Sequence, residues 1–470
     1  MLIKTCLNAL SWFGLYLCIG CIPFRTSAQF NSYYWSHQYG AKGQLLNGAV
    51  IASCDDESAI FYNPAAMSLN EEFGISLSLI SPNYGSISTS NLFGKGTSFK
   101  DGGIGLSPGL LAARFSPFGS KRIQVGFCSF TRYKSGLQYR DRIVDNTTDG
   151  TSNVFTGYLN FESKLDETWL GFGISYRIDS SLALGGTQFI SSRSERTLLD
   201  FRKEILSASS TDQLLYGWRS MFEYGYSATG GMLSKFGLIW HPENFRVGLT
   251  YTTSTYHIFA GNADYSYDDQ KVNENGSSSV ESNLKDVKLN DYKTPWSAGF
   301  GLEFSWSRKT KVSFSSEYFS KIPNYVLFSD LDDPFNGTTS SPFLQETTVR
   351  NENESVVNVS LGVQTVVNDN LTFLWGLRTD FSPKGNTEIR QNLEFLANTP
   401  GIIHISTGGI VTHKSNYFSV GLDYGFGTRK GGKQITDLAD ITPNNIFDFG
   451  GSENVKTTVH LLNLSLTYDF

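Results

Sequence analysis

Apolar and polar residues alternate along much of this chain. Phe418, Val420, Leu422, Tyr424 and Phe426 alternate with Ser419, Gly421, Asp423 and Gly425, and Phe245, Val247, Leu249 and Tyr251 alternate with Arg246, Gly248, Thr250 and Thr252. Leu371, Phe373, Trp375 and Leu377 alternate with Thr372, Gly376 and Arg378, and only Leu374 interrupts the polar row. At the end of the chain Leu462, Leu464, Leu466, Tyr468 and Phe470 keep this spacing around Asn463, Ser465, Thr467 and Asp469. A strand turns successive side chains to opposite faces, so each run has one greasy face and one small or polar face. Repeated on strand after strand, that division predicts an all-β transmembrane barrel with lipid outside and a polar lumen inside.

The connections alternate in length, as short periplasmic turns and long external loops do. Short ones are expected at 117–121, 242–244, 308–310, 368–370 and 414–416, and long polar ones near 83–107, 141–152, 195–223, 263–284, 329–353, 382–400 and 429–455. A break at Leu165-Asp166-Glu167 gives 15 strands, which would leave the chain ends on opposite sides of the membrane. Bacterial single-chain barrels are even, so 153–178 reads as one long bulged strand and the total becomes 14 antiparallel strands. They are 73–82, 108–117, 121–141, 153–178, 180–194, 224–241, 244–262, 285–308, 310–328, 354–367, 370–381, 401–413, 416–428 and 456–470.

Composition supports this reading. No stretch after the N-terminus approaches 18 consecutive apolar residues, which excludes helical spans there, and the mean hydropathy is −0.21. Aromatics supply 14% of the chain and glycine 46 residues, in keeping with strands and aromatic girdles. Lys4, an apolar run from Leu7 to Ile22, Pro23 and the small stretch Thr26-Ser27-Ala28 read as a signal peptide over residues 1–28. The run is short for a membrane anchor, and Cys21, the alternative lipidation site, lacks a Leu three positions before it. Losing Lys4 and Arg25 takes the formal charge from −6 to −8, which offers nothing to nucleic acid. The final Phe470 strand resembles the C-terminal signature of bacterial outer-membrane proteins, which implies the barrel-assembly machinery as a partner during biogenesis.

Residues 29–72 fit no barrel strand. They contain Gly48-Ala-Val-Ile-Ala-Ser-Cys-Asp55-Asp-Glu-Ser58-Ala-Ile-Phe-Tyr62-Asn63-Pro64-Ala65-Ala-Met67. Asn-Pro-Ala by itself signals only a turn, because proline fixes its own φ and pushes the preceding residue to extended backbone. With the preceding Asp-x-x-Ser-Ala-x-x-Tyr and the small-residue stretch, this segment resembles the N-terminal hatch of FadL/TodX-type outer-membrane transporters. The resemblance continues in Tyr176-Arg-Ile-Asp-Ser-Ser-Leu-Ala-Leu-Gly185, Phe236-Gly-Leu-Ile-Trp-His-Pro242, Arg246-Val-Gly-Leu-Thr-Tyr251, Pro295-Trp-Ser-Ala-Gly299 and Gly421-Leu-Asp-Tyr-Gly-Phe-Gly427. It implies a 14-stranded barrel over 73–470, plugged by a hatch over 29–72, and passive uptake of long-chain fatty acids or other hydrophobic molecules. Capture at external loops, a pocket above the hatch and sideways exit at a kinked strand are implied too. Asn63, Pro64 and Ala65 are the hatch residues carried over, and Gly136 is a candidate for the kink.

Several chemical expectations follow. Leu198, Leu199, Phe201, Ile205, Leu214, Leu215, Trp218, Met221 and Phe222 have helical spacing within a long loop, which offers either helices packed on each other or an apolar landing site for ligand. Cys128 shares the inward parity of Gln124, Gly126 and Arg132, so a disulfide to Cys54 in the plug is a second expectation. The loop 329–354, with Pro334, Gly337 and Pro342, reads as solvated. The six histidines are scattered without metal-ligand spacing, no nucleophile motif accompanies them, and neither an enzyme nor a cofactor is expected. Expected partners are hydrophobic small molecules, outer-membrane lipid and lipopolysaccharide, with the protein a monomer. The competing reading is a barrel of the same family serving a protein-secretion system as a partner or shuttle component.

Overall fold

The structure is a computed structural model that describes residues 33–69, 74–78, 81–107, 109–120, 122–259, 261–289, 292–329, 348–384, 399–413, 416–432, 434, 437–448, 451 and 454–469. The signal peptide, Phe470, Pro334, Gly337 and Pro342 lie outside them. The strands are β1 (Gly74–Ser78), β2 (Ser81–Ser90), β3 (Ser98–Ser107), β4 (Leu110–Phe115), β5 (Ile123–Asn146), β6 (Val154–Arg177), β7 (Leu182–Ser207), β8 (Ser210–Trp240), β9 (Phe245–Thr252), β10 (Tyr256–His257), β11 (Asn262–Val272), β12 (Ser278–Lys288), β13 (Ser297–Ser305) and β14 (Thr310–Phe319). There follow β15 (Ile322–Ser329), β16 (Thr348–Asn353), β17 (Val356–Asn368), β18 (Leu371–Asp380), β19 (Ile402–His413), β20 (Asn416–Gly432) and β21 (Val455–Asp469).

All but β15 and β16 belong to one antiparallel sheet that closes on itself through β21, which pairs with β1 near the chain end and with β2 higher up. Four wall strands are interrupted: β1 with β2, β3 with β4, β9 through β11, and β12 with β13. Counting each as one gives a closed barrel of 14 strands. At the level where it closes, through β4–β5 and β1–β21, the sheet has no free edge, which a hydrocarbon surround requires because it offers no partner for an open N–H or C=O.

The alternating pattern divides the wall as expected. Phe418, Val420, Leu422, Tyr424 and Phe426 are exposed on the outer surface, while Ser419 between them is fully buried. On β21, Leu462 faces out, whereas Thr467 and Asp469 face in and are buried. Leu374, which breaks the polar row of β18, is fully buried among Leu45, Leu46 and Val50 of the N-terminal segment. It faces a protein-filled part of the lumen.

Three of the expected external loops, 83–107, 195–223 and 263–284, are largely strands. A lipid-spanning strand needs about 9–11 residues, but β5, β6, β7 and β8 run for 24, 24, 26 and 31 residues. They therefore continue well beyond the membrane as a tall blade. The helical spacing expected over 197–222 is corrected: the segment is the end of β7, a turn and the start of β8. Leu199, Phe201 and Ile205 face inward, as do Trp218 and Phe222, whereas Leu214 is exposed and Leu198 is half-buried. The outer face of the blade carries Arg140 with Glu162 at 3.2 Å, Arg219 with Asp200 at 3.8 Å, and Arg196 with Glu223. Above the membrane both faces of a strand can be polar or mixed, which removes the regular alternation. The same reason hid β2 and β3 in the loop expected at 83–107 and the β11–β12 hairpin in the one expected at 263–284.

The strand read over 153–178 is β6, unbroken through Leu165. The bulge lies instead on its neighbour β5, where the register with β6 shifts between Thr131 and Tyr133. Gly136, the kink candidate, pairs regularly with Lys164.

Candidate functional site

Residues 33–69 lie inside the barrel. They carry two short helices, α1 (Ala41–Leu45) and α2 (Ala59–Tyr62), and a 3-10 turn over Pro64–Leu69. Asn63 between α2 and the turn is extended at φ −151° and ψ 101°, as a residue before proline must be. Its buried side chain donates to the Ile51 carbonyl at 2.9 Å and the Leu238 carbonyl at 3.2 Å, and its oxygen accepts from the Ala65 N–H at 3.2 Å. One amide thus ties the segment to itself and to β8.

The wall is built to receive this segment. A side chain at Gly185 would place its first carbon 2.4 Å from the Pro64 carbonyl carbon, and one at Gly237 would fall 2.0 Å from the Asn63 oxygen. Gly248 similarly meets Ile51 backbone at 2.3 Å and Gly376 meets Leu46 backbone at 2.4 Å. Gly185, Gly237 and Gly248 come from three separate sequence fragments, each of little weight alone, and the fold gathers them around Asn63, Pro64 and nearby backbone. A second tie runs through Asn47, which donates to Asp423 at 3.2 Å and accepts from Arg378 at 2.5 Å. His404 Nδ1 lies 3.1 Å from both Arg378 and Asp423, completing a buried polar cluster across β18, β19 and β20.

Above the segment is a cavity with about 1710 Å³ of empty space, counting the part open to solvent. Phe61, Trp169, Phe189, Tyr226, Leu233 and Tyr292 make much of it aromatic or apolar. Arg132, Tyr133 and Lys235 also face it. The Arg132 guanidinium lies 5.7 Å from the Phe61 ring centre and 5.6 Å from that of Trp169, and Lys235 Nζ lies 5.1 Å from that of Phe61. Arg132 donates to the Tyr34 carbonyl, but among the described residues neither cation has a carboxylate partner within ion-pair distance. Arg193 differs: it holds Glu167 at 2.7 Å and Glu195 at 3.0 Å and stacks on Tyr292 at 4.0 Å. His37 lines the same cavity, and burial, reinforced by the charge of Arg132, lowers its pKa to about 3. It is neutral at physiological pH.

The wall beside this cavity is incomplete. β4 pairs with β5 from Leu110–Phe130 to Phe115–Val125, and above that β3 pairs only with β2 while β5 pairs only with β6. No backbone pairing joins β3 to the Thr131–Asn146 stretch of β5 among the described residues. Higher up, Phe99 and Tyr139 bridge the gap with ring centres 4.1 Å apart. The β5 bulge stands at its lower end and turns both Arg132 and Tyr133 toward the cavity. A single charge on a lumen-facing strand is ordinary in sequence, so nothing there marks Lys235, and parity alone places Arg132 on the inner face.

Of the expected landing-site residues, Leu199, Phe201, Ile205 and Trp218 form one buried cluster at the top of the lumen and Phe222 joins a neighbouring one with Tyr224 and Tyr226. The expected disulfide is not formed. Cys54 and Cys128 are both buried free thiols: Cys54 donates to Asp56 at 3.4 Å, while Cys128 packs beside Gly171 and Phe189. Burial raises the Cys54 pKa well above its ordinary value, which keeps the thiol protonated.

No family model matches the chain, and no curated protein matches it. Solved structures do. A Pseudomonas aeruginosa FadL homologue superposes with a TM-score of 0.61 at 12% identity, over 93% of this chain and 99% of that one. The Pseudomonas putida toluene transporter TodX superposes with a TM-score of 0.57 at 14% identity, over 92% of this chain and 98% of that one. What is shared is the fold, over nearly the whole of both chains.

Proposed function

We propose that the protein is an outer-membrane conduit for hydrophobic molecules that carry an acidic head group, with long-chain fatty acids as the natural class. The carrying observation is the aromatic cavity faced by two cations, Arg132 and Lys235, that have no carboxylate partner among the described residues. An apolar chain gains about 25 cal/mol per Å² on leaving water, and a desolvated cation supplies the head group with the counter-charge it would otherwise leave behind. The neighbouring structures include a toluene transporter and a FadL homologue, which is consistent with an apolar cargo.

In this reading Leu199, Phe201, Trp218 and Phe222, with Leu214 and Leu215 nearer the rim, form the surface that first takes the ligand from outside, and Leu198 lies on the other face of β7. The ligand then moves down to the cavity. Residues 29–72 act as the hatch, and Asn63, Pro64 and Ala65 hold it in the closed form that denies a straight path to the periplasm. The gap beside Arg132 and Tyr133 is the way out, sideways into the membrane. Such a protein is exported by residues 1–28, folded by the assembly machinery, and works as a monomer among lipid and lipopolysaccharide.

Equilibrium binding of radiolabelled oleate to the purified protein in lipid nanodiscs tests this. Saturable binding is expected, at least tenfold weaker in the double variant Arg132→Gln, Lys235→Gln, with toluene competing equally well against both forms. Absence of saturable oleate binding by the unaltered protein would remove the proposal.

A further inference from the structure

The last external connection, between β20 and β21, folds into the barrel instead of away from it. Leu438, Ile441 and Ile446 are buried there, and Phe447 packs with them. They sit on wall residues along one half of the barrel: Val459 of β21, Ile87 of β2, Tyr139 of β5, Phe155 of β6, Phe201 of β7 and Trp218 of β8. Loop side chains seated there cover that side of the upper lumen. Phe161 belongs to this cluster and also lines the cavity, so this cover lies directly above the proposed ligand site.

The attachment is mostly through side chains. Trp218 and Phe447 approach with ring centres 6.3 Å apart, and Lys271 lies 5.0 Å from the first ring and 5.9 Å from the second. Lys203 donates to the Asp448 carbonyl at 2.8 Å. Two backbone bonds reach other loops, from Leu438 N–H to the Phe93 carbonyl at 2.7 Å and from Thr148 N–H to the Ile441 carbonyl at 3.2 Å, and Thr148 Oγ1 donates to Asp440 at 2.6 Å. No strand pairing joins residues 437–448 to the wall. Within the loop, Ile446 N–H bonds the Thr442 carbonyl at 3.1 Å and Asn445 braces both the Thr442 N–H and the Asp440 carbonyl. The piece is internally tied and externally held by apolar contact and a few hydrogen bonds, none of them part of a strand ladder, so it can leave as a unit without unzipping the sheet.

We propose that residues 437–448 form a lid that occupies the apolar vestibule with its own side chains, and that an incoming hydrophobic ligand competes with Leu438, Ile441, Ile446 and Phe447 for the surface made by Phe155, Phe201 and Trp218. This rests on the reading that the cavity is filled from outside. Apolar contact is non-directional, so a ligand chain and the lid side chains satisfy the same wall equally, and one can displace the other.

Bridging the lid to the wall tests the proposal. Thr148→Cys with Asp440→Cys, oxidised to a disulfide, pins the lid shut, and Ser220→Cys beneath it reports access. In whole cells, a membrane-impermeant maleimide is expected to alkylate position 220 at least tenfold more slowly in the bridged protein than in one carrying Ser220→Cys alone, with reduction of the bridge restoring the rate. Phe447→Ser is expected to speed alkylation severalfold without a bridge. Equal alkylation with and without the bridge overturns the lid. Oleate binding to the same proteins separates the two ideas. Gated alkylation with no oleate binding in either form leaves the lid standing and defeats the fatty-acid reading, while oleate loading at the same rate with the bridge closed defeats the lid as the control on that site.

Discussion

The lower and upper halves of this lumen are both filled by polypeptide, but they are filled in opposite ways. Below, residues 33–69 press backbone to backbone against wall glycines and share buried bonds through Asn47 and Asn63 with β8, β18 and β20. Above, residues 437–448 lay apolar side chains on apolar wall with two backbone bonds to other loops. Bonds from a buried amide have fixed partners, and a glycine seat admits one shape, so the lower filling is position-specific. Greasy contact has no such demand. The upper filling is the part suited to exchange with a ligand.

The largest effect is expected where the lower filling is tightest. Gly185→Val puts side-chain carbon onto Pro64 backbone, an overpacking of about 1–3 kcal/mol or more. It should turn a silent barrel into one that conducts ions in planar bilayers. Gly186→Val, where the nearest atom is a Phe236 ring carbon at 3.6 Å, should stay silent. Conductance by both or by neither would erase the distinction drawn for the lower lumen.

Next comes Asn63→Ala, which leaves the Ile51 and Leu238 carbonyls and the Ala65 N–H without their amide and should cost about 1–3 kcal/mol. Brief conductance bursts and faster hydrogen exchange over residues 59–67 are the expected signs, and exchange like that of the unaltered protein would contradict them. An effect of similar size, spread over about two pH units, follows from His37. His37 titrates near 3 in the folded protein and near 6.5 when released. The released form therefore binds the proton more readily, and closure of the segment weakens as pH falls through that window, by roughly 1.4 kcal/mol per unit. Divided by the intrinsic amide rate, which itself slows as pH falls, exchange over residues 34–38 should report an opening constant that rises about tenfold per unit between pH 6 and 4, and His37→Gln should remove that rise. Smallest is Phe447→Ser in the upper lumen, where thermal unfolding of the barrel should shift by less than about 0.5 kcal/mol, because a detachable lid does not report on the wall. A large loss would make the lid part of the core.

What the sequence made legible follows the lipid. Where strands cross the membrane, as in β18, β20 and β21, one face must be apolar and the alternation is plain. Parity then corrected the break at Leu165, which β6 runs through. Beyond the membrane that demand lapses. Trp218 and Phe201 face a protein-filled lumen from strands whose other side meets water, and their spacing imitated a helix. The bulge at Arg132 was invisible because a one-residue register shift leaves no mark in composition, and it reverses the inward parity beyond it. Cys54 and Cys128 show the limit of parity differently: both are buried in the lumen, yet each is satisfied by its own neighbours. The two cavity cations without a carboxylate partner among the described residues come from strands far apart in the chain, Arg132 from β5 and Lys235 from β8, and only closure of the barrel brings them to one space.

Anomalous diffraction from crystals grown with a fatty acid brominated at its terminal carbon would locate both ends of the ligand. The carboxylate is expected within about 4 Å of the Arg132 guanidinium or the Lys235 ammonium, and the bromine inside the barrel among Phe61, Phe189 and Leu233. Bromine found only on the lipid-facing surface, with nothing beside Arg132 or Lys235, would contradict it.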